Sequence, residues 1–236
     1  MLGIVVALPA ECRTLTRQRA SVGQLVRLAP TAMIQVAGMG AERALAAADL
    51  LYRAGASAVL SWGVAAGLQP GLTAGTLILP QCFLLPTGEE VTADPHWWSN
   101  LRRNLADSPS LTTAPLASSD RIVNTPADKN ILFETTGAAA VDMESAFLAR
   151  WAIQKRIPFA ALRAISDTAG TALPGSVLAA AGDQGDVSIP RLLGQLLRHP
   201  GQIQDLITLG RQFNAARLQL NRTGKRLVGA NRFCLP

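Results

Sequence analysis

Three carboxylates follow apolar segments of the chain, each at the point where the segment ends. Glu11 comes after the apolar run at residues 3–8, Glu144 after "AAAV", and Asp167 closes "FAALRAIS". A charge beside a core strand is costly unless it is paired or hydrogen-bonded, so each carboxylate needs a reason. Paired carboxylates in different environments can divide acid and base roles, as they do in glycosidic cleavage. The alternative for any one of the three is a helix cap or a structural ion pair.

Two glycine-rich segments could bring a ligand close to the backbone, because glycine tolerates positive φ and presents its N–H without a side chain. They are "GMG" at residues 38–40 and "SWGVAAGL" at residues 61–68. Neither fits a dinucleotide or P-loop fingerprint, so nicotinamide and P-loop chemistries are disfavoured. His96 and His199 lie far from any acidic cluster, which argues against a metal site and against a Ser-His-Asp triad.

Strand patterns alternate with helical patterns along the chain. We predict strands near residues 3–8, 33–37, 58–60, 75–80, 138–142 and 159–167. This alternation indicates a single α/β domain whose central sheet is mixed, mostly parallel and flanked by helices. Sites in such sheets lie at the carboxyl ends of strands, which would bring Glu11, Gly38–Gly40, Gly63–Gly67 and Asp167 to one edge.

The composition is that of a globular protein with a surplus of basic residues. Its 236 residues carry 22 Lys and Arg against 16 Asp and Glu, and residues 211–236 hold six basic residues and no acidic one. Such a tail could contact anionic lipid or an acidic partner, or be a solvated surface. No aromatic–basic interleaving is present, so a nucleic-acid partner is not expected. Three scattered cysteines indicate neither a disulfide framework nor a zinc site and favour the cytoplasm, and no apolar run is suited to cross a bilayer.

Longer motifs resemble the nucleoside phosphorylase and nucleosidase superfamily. "VDMESAFLA" followed by "PFAALRAISD" is similar to the signature of methylthioadenosine/S-adenosylhomocysteine nucleosidases, and "ALPAE", "VAGMG" and "SWGVAAGL" match further landmarks. A closer resemblance is to the hopanoid-associated phosphorylases, a branch implied to remove adenine from adenosylhopane. It rests on "GMGAERA", "SWGVAAGLQPGL", "AVDMES" and "LLRHPGQIQDLI". The implied fold is one domain over residues 1–236, with 189–236 as a helical, basic C-terminal extension.

The resemblance also implies residue roles. Glu11 stands where the nucleosidases keep the base that activates water, and Asp167 where an acid protonates the purine N7. Glu144 would bind the ribose hydroxyls, with Met143 packed beside the sugar. The implied substrate-binding set is completed by Gly38, Met39, Gly40, Ala65, Ile122, Val123 and Ser166.

These roles agree with the demands of the reaction, in which positive charge grows on the ribose and negative charge on the leaving purine. To donate a proton near neutral pH, Asp167 needs a pKa above the usual value of about 3.9, which burial at an apolar strand end would provide. Glu144 should stay ionised, so that it accepts hydroxyl hydrogen bonds and stabilises the sugar cation.

The nucleophile is open between water and phosphate. Bacterial purine phosphorylases of this superfamily carry an arginine and a serine at places that correspond here to Ser61 and Val64, which disfavours tight phosphate binding. Arg13 and Arg43 remain available to hold an anion, so inorganic phosphate stays a candidate co-substrate. No organic cofactor or metal is expected.

The resemblance leaves substrate and location partly open. Adenosylhopane is the preferred substrate, with methylthioadenosine or S-adenosylhomocysteine, or a purine nucleoside cleaved by phosphorolysis, as alternatives. A lipid-linked substrate would give a peripheral role at the inner membrane surface to the basic tail and to Trp97 and Trp98, which form either an exposed apolar lip or a covered core corner. A homo-oligomer is expected, as is usual in the superfamily.

Overall fold

A computed structural model describes residues 1–108, 110–175, 203–229 and 233 of the chain. Eleven strands form one sheet: β1 (Leu2–Val6), β2 (Leu25–Ala29), β3 (Ala32–Val36), β4 (Ala58–Gly67), β5 (Leu77–Ile78), β6 (Cys82–Leu84), β7 (Glu90–Thr92), β8 (Leu111–Thr112), β9 (Leu116–Ser118), β10 (Ala140–Asp142) and β11 (Phe159–Asp167). The described helices are α1 (Pro9–Leu15), α2 (Ala41–Arg53), α3 (Pro95–Asn104), α4 (Pro126–Thr136), α5 (Ser145–Lys155) and α6 (Ile203–Gly229).

The sheet runs in the order β2-β3-β1-β4-β10-β9-β6-β7, and β11 pairs with β4 on a branch that continues to β5 and β8. Pairs of β1 with β3 and β4, and of β4 with β11, are parallel, whereas β2–β3, β4–β10, β5–β11 and β6–β7 are antiparallel. The remaining pairs, β9–β10, β5–β8 and β6–β9, are also parallel. The predicted mixed, mostly parallel sheet is therefore confirmed.

The longest two strands, β4 and β11, run parallel at the centre of the sheet from Phe159 opposite Val59 to Ile165 opposite Ala65. Both are buried along almost their whole length, as expected of strands that are covered on both faces. The strand predicted near residues 58–60 is longer than expected, because β4 continues through the glycine-rich segment to Gly67. β2 was not predicted from the sequence, and the strand expected at residues 75–80 is reduced to Leu77–Ile78.

The C-terminal helix α6 packs against α1 and β11. Its second half is anchored by buried side chains, including Ala216, Leu220 and Leu227. Gly224 permits a close approach there, because a Cβ at this position would lie 2.6 Å from the carbonyl oxygen of Thr14. Residues 189–202 of the predicted helical extension, and most of the basic tail beyond Gly229, lie outside the described residues.

Trp97 and Trp98 on α3 are both buried. The indole N–H of Trp97 donates to the carbonyl of Phe233 at 2.6 Å, and that of Trp98 donates to the carbonyl of Leu79 at 3.0 Å. The two tryptophans form a covered core corner, so the alternative of an exposed lip is wrong. Within the ranges that the structure describes, no helix has the length and apolar character needed to cross a membrane.

Candidate active site

A cavity of about 730 Å³ opens at the carboxyl ends of the central strands. Its lining includes all three predicted carboxylates, Glu11, Glu144 and Asp167, although they come from α1, the start of α5 and the end of β11. The predicted substrate-binding residues that also line it are Met39, Ala65, Ile122, Val123, Met143 and Ser166. Gly38 and Gly40 are not among the lining residues, but the N–H of Gly40 donates to Glu144 Oε1 at 2.9 Å.

Glu11 is held rigidly by backbone donors. Its Oε2 accepts hydrogen bonds from the N–H groups of Ala7 and Leu8 at 2.9 and 2.8 Å, and its Oε1 accepts one from Val64 at 2.9 Å. Burial raises the pKa of this carboxyl, although the nearby Arg163 guanidinium and the three N–H donors act in the opposite direction. A fixed carboxylate with a raised pKa is suited to accept a proton from a bound nucleophile.

Gly63 on β4 leaves the space that the Glu11 carboxylate occupies. A Cβ at residue 63 would lie 2.7 Å from Glu11 Cδ, and closer still to Glu11 Oε1 and Arg163 Nη1. Gly63 has no left-handed φ, so the requirement for glycine is one of space: any side chain would occupy the volume of the carboxylate. The glycine-rich segment was predicted to bring a ligand close to the backbone. Its residues 64–66 do line the cavity, whereas Gly63 makes room for a protein side chain.

Arg163 lies beneath the carboxylates and is almost fully buried within β11. Its Nε donates to Asp142 Oδ2 at 2.9 Å, and its Nη2 donates to the hydroxyl groups of Ser61 and Ser145 at 2.7 and 3.0 Å. The same Nη2 lies 3.6 Å from Glu144 Oε2. This arginine was not predicted as a site residue, and its only signal in the sequence is a cation inside an otherwise apolar strand.

Glu144 has a pKa raised to about 7. Burial is the main cause and the charge of Asp142 adds to it, whereas Arg163 and the N–H of Gly40 favour the ionised form. The expectation that Glu144 stays ionised is therefore met only in part near neutral pH. The physical reason is that one cation, Arg163, faces three carboxylates and compensates their charge only in part. These carboxylates are Glu11, Asp142 and Glu144. A cationic ligand in the cavity would favour the carboxylate.

Asp167 is surrounded by donors at the end of β11. Its Oδ1 accepts a hydrogen bond from the Ser166 hydroxyl at 2.6 Å, and its Oδ2 accepts one from Lys129 Nζ at 2.5 Å. Lys129 lies on α4 and is fully buried. The expected apolar surroundings of Asp167 are thus replaced by an ion pair. Sequence reasoning missed Lys129 because "PADKN" has the pattern of a solvated helix start.

One side of the cavity is an apolar wall supplied mainly by the first half of α6. The wall residues are Leu173, Ile203, Leu206, Ile207, Leu209 and Phe213. Two of them, Ile203 and Ile207, are about half exposed at 46% and 49%, and Ile122 opposite is 39% exposed. These three isoleucines form the cavity rim. The cavity therefore combines an acidic end with an apolar side that reaches the surface.

Arg13 and Arg43, the predicted anion-binding residues, do not line the cavity in the described structure. Arg13 is exposed on α1, and the Arg43 side chain lies beneath the turn at Gly38, where a Cβ would be 3.0 Å from Arg43 Cδ. The ionisable side chains among the described lining residues are all acidic. Among the residues that the structure describes, no group of three or more His, Cys, Asp or Glu is arranged to hold a metal ion.

Comparisons with known proteins place this geometry in context. The methylthioadenosine/S-adenosylhomocysteine nucleosidase of Neisseria meningitidis, solved with methylthio-immucillin-A, superposes with a TM-score of 0.71 at 18% identity, over 97% of this chain and 98% of the other. Futalosine hydrolase of Helicobacter pylori gives 0.68 at 16% identity over 97% of both chains. A search among curated proteins finds no matching sequence.

The structural neighbours establish the fold, because they share the arrangement of elements over nearly the full length of both chains at low sequence identity. The family follows from the sequence itself. The family model of the phosphorylase superfamily matches residues 2–192, which include Glu11, Glu144, Arg163 and Asp167. This match agrees with the enzyme class that the motifs predicted. The chain belongs to the phosphorylase superfamily.

Proposed function

We propose that the protein cleaves the N-glycosidic bond of an adenosyl compound and releases adenine. The observation that carries this proposal is the meeting of Glu11, Glu144 and Asp167 around one cavity. Structural neighbours described as methylthioadenosine/S-adenosylhomocysteine nucleosidases and futalosine hydrolase support the same class of reaction.

The carboxylates divide the chemistry between the two charges that develop. Glu144 and Glu11 lie on the side where the ribose becomes cationic, and their negative charge stabilises it more strongly in a buried site than in water. Glu11 takes a proton from the nucleophile while the oxygen atom of the nucleophile bonds to the anomeric carbon. The electrons of the breaking carbon–nitrogen bond pass to the purine, which receives a proton on the Asp167 side.

Water is the nucleophile that the described lining favours. A phosphate dianion would enter a cavity whose described ionisable lining groups are all acidic, where like charges repel it. Water avoids that cost and needs only the base that Glu11 supplies. Phosphorolysis by a purine nucleoside phosphorylase is the alternative, and it would require a cation from outside this lining.

Adenosylhopane is the proposed substrate, because the apolar wall offers a place for a large apolar group on the 5′ carbon. Six aliphatic or aromatic side chains line this wall, and the rim residues Ile203 and Ile207 are half exposed. Covering them with hydrocarbon would stabilise the complex by about 25 cal/mol for each Å² removed from water. Methylthioadenosine and S-adenosylhomocysteine, with smaller 5′ groups, are the alternative substrates.

The test is adenine release from adenosylhopane, methylthioadenosine, S-adenosylhomocysteine and adenosine, each with and without phosphate. We expect the highest kcat/KM for adenosylhopane, no dependence on phosphate, and loss of turnover in Asp167→Asn. Preference for methylthioadenosine would replace the substrate assignment, and a requirement for phosphate would replace water. No release from any of the four would refute the reaction class.

We also propose that the cavity rim contacts an anionic membrane surface, through which a lipid-linked substrate would enter. The rim isoleucines are exposed. Two arginines adjacent in sequence to cavity-lining residues are exposed as well: Arg121 precedes Ile122, and Arg211 follows Gly210. Flotation with vesicles of anionic phospholipid at low salt tests this contact, and protein that stays wholly in solution would exclude it. The expected homo-oligomer and cytoplasmic location remain predictions, the former open to light scattering after gel filtration.

A further inference from the structure

Lys129 is a fully buried lysine whose donors are all matched. Its Nζ donates to Asp167 Oδ2 at 2.5 Å and to the carbonyl oxygens of Thr168 and Thr171 at 2.9 and 2.8 Å. An ammonium has three N–H donors and no acceptor, which is the complement of these three acceptors. A neutral amine would turn its lone pair toward one of them. The surroundings therefore fit the charged form of Lys129.

Asp167 is placed as the matching anion. Both of its oxygens accept hydrogen bonds, Oδ1 from Ser166 and Oδ2 from Lys129. A carboxyl group that accepts at both oxygens fits the ionised form. Yet the leaving purine needs a proton from this side of the cavity. In the resting site, the nearest transferable proton is the one on Lys129 that points at Asp167.

Among the residues that the structure describes, the other elements packed around this pair bring no competing charge into contact with it. From α6, the neutral Gln212 bonds to Thr168 and Thr171. On α4 itself, Asp128 is exposed and bonded to the hydroxyl of Thr125. In the described part of the chain, Asp167 is the charged side chain that Lys129 contacts.

We propose that Lys129 is a positioning residue that supplies, through Asp167, the proton delivered to the leaving base. As the glycosidic bond breaks, one N–H bond of Lys129 breaks and an O–H bond forms on Asp167. That new O–H bond then breaks as an N–H bond forms on the purine, so a single proton passes from Lys129 through Asp167 to the base. Lys129 ends as a neutral amine and Asp167 as a carboxylate. Lys129 regains its proton from solvent water after the base leaves. This inference rests on the proposed function.

The experiment compares the pH dependence of kcat for the wild-type protein, Lys129→Met and Lys155→Met, using the best substrate of the adenine-release panel. Methionine is an unbranched side chain one heavy atom shorter than lysine, and it has no proton to donate. Lys155, exposed on α5 and paired with Asp49, is the matched control. We expect Lys129→Met to lower kcat at pH 7.5 by about 100-fold, the scale of acid catalysis, with KM changed less than about threefold.

The shape of the profile separates a proton relay from a structural role. Without Lys129, Asp167 must carry the proton itself, so we expect the alkaline limb of kcat to move to lower pH by about one unit or more, whereas Lys155→Met keeps the wild-type profile. An unchanged limb in Lys129→Met, whatever its thermal stability, or a limb moved to higher pH, would overturn the proposal while leaving the reaction class intact.

The wild-type profile provides a readout that does not depend on the folding of a variant. The relay draws its proton from an ammonium group rather than from a free carboxylic acid, so we expect kcat to hold a plateau through neutral pH. A decline of kcat that begins below pH 7 would overturn the relay. Such a decline would show that the proton comes from a carboxylic acid that must already be protonated before the reaction starts. Absence of adenine release in the wild type is a different failure, that of the proposed function.

Discussion

Replacement of Gly63 by alanine tests whether the candidate site depends on the placement of Glu11. The added Cβ would lie 2.7 Å from Glu11 Cδ. Carbon atoms pack at about 3.5 to 4.0 Å, so the carboxyl group must retreat by about 1 Å. That movement stretches the 2.9 Å hydrogen bond from the Val64 N–H to Glu11 Oε1 beyond its useful range.

The size of the effect follows from that lost contact. A hydrogen bond to a charged group contributes about 1.5 to 3 kcal/mol. In a domain of this size, each kcal/mol corresponds to about 2 to 4 °C, so Gly63→Ala should lower Tm by about 3 to 12 °C. A displacement of about 1 Å in a catalytic group can cost about 100-fold in rate, and we expect kcat/KM to fall on that scale.

The assay is adenine release together with thermal unfolding followed by circular dichroism. Gly229→Ala is the matched control, because its Cβ would meet nothing within 4 Å and its φ is not left-handed. We expect the control to keep both properties of the wild-type protein. If Gly63→Ala retained kcat/KM within about threefold and an unchanged Tm, the inferred crowding around Glu11 would be refuted.

Three further predictions concern the ion network and the apolar wall. Arg163→Met should lower the free energy of unfolding in urea by about 3 to 5 kcal/mol, because it leaves buried carboxylates unpaired, whereas Arg150→Met, which removes an exposed pair with Glu89, should change it by less than about 1 kcal/mol. Because the folded state holds a proton on Glu144 up to a pKa of about 7, well above its usual value of 4.5, the free energy of unfolding should fall as pH rises from 4.5 to 7, and Glu144→Gln should flatten this slope in urea titrations at several pH values. Ile207→Ser should raise KM for a substrate with a large apolar 5′ group by about tenfold and leave KM for adenosine unchanged, and equal effects on both substrates would contradict the assigned wall.

The convergence of Glu11 and Asp167 could be predicted from the sequence, because each follows an apolar run and parallel strands end at a common edge. Glu144 also follows an apolar run, but that run forms β10, which is antiparallel to β4, so this rule does not explain its place. A continuous apolar run indicates a segment that is buried on both faces, which is typical of a central strand. The strand β4 was nonetheless predicted too short, since the glycines that indicated a turn have extended backbone. Gly63 is explained by a contact with Glu11, which lies far away along the chain.

The buried cations could not be predicted in the same way. Arg163 contacts Ser61, Asp142 and Ser145, which belong to three separate segments, and no local pattern specifies such a meeting. The sequence around Lys129 has the pattern of a surface residue. In the structure Lys129 is buried, because it donates to two carbonyl groups of the loop after β11. For the tryptophans of α3, the sequence allowed an exposed lip or a covered core corner. The two alternatives differ only in what covers the side chains, and the group that contacts Trp97, the carbonyl of Phe233, lies at the far end of the chain.

The helix α6 and the carboxylates supply different parts of one cavity. Glu11, Glu144 and Asp167 fall inside the stretch at residues 2–192 that matches the superfamily, whereas the described part of α6, which supplies most of the apolar wall, lies beyond it at Ile203–Gly229. Its second half anchors it to the sheet, so substitutions in its first half reach the ligand without disturbing Arg163 or the carboxylates. Substitutions at residues 203–213 can therefore alter the apolar wall while the carboxylates keep their contacts, and a chimera that exchanges only those residues is the corresponding route to change the proposed substrate preference in laboratory evolution.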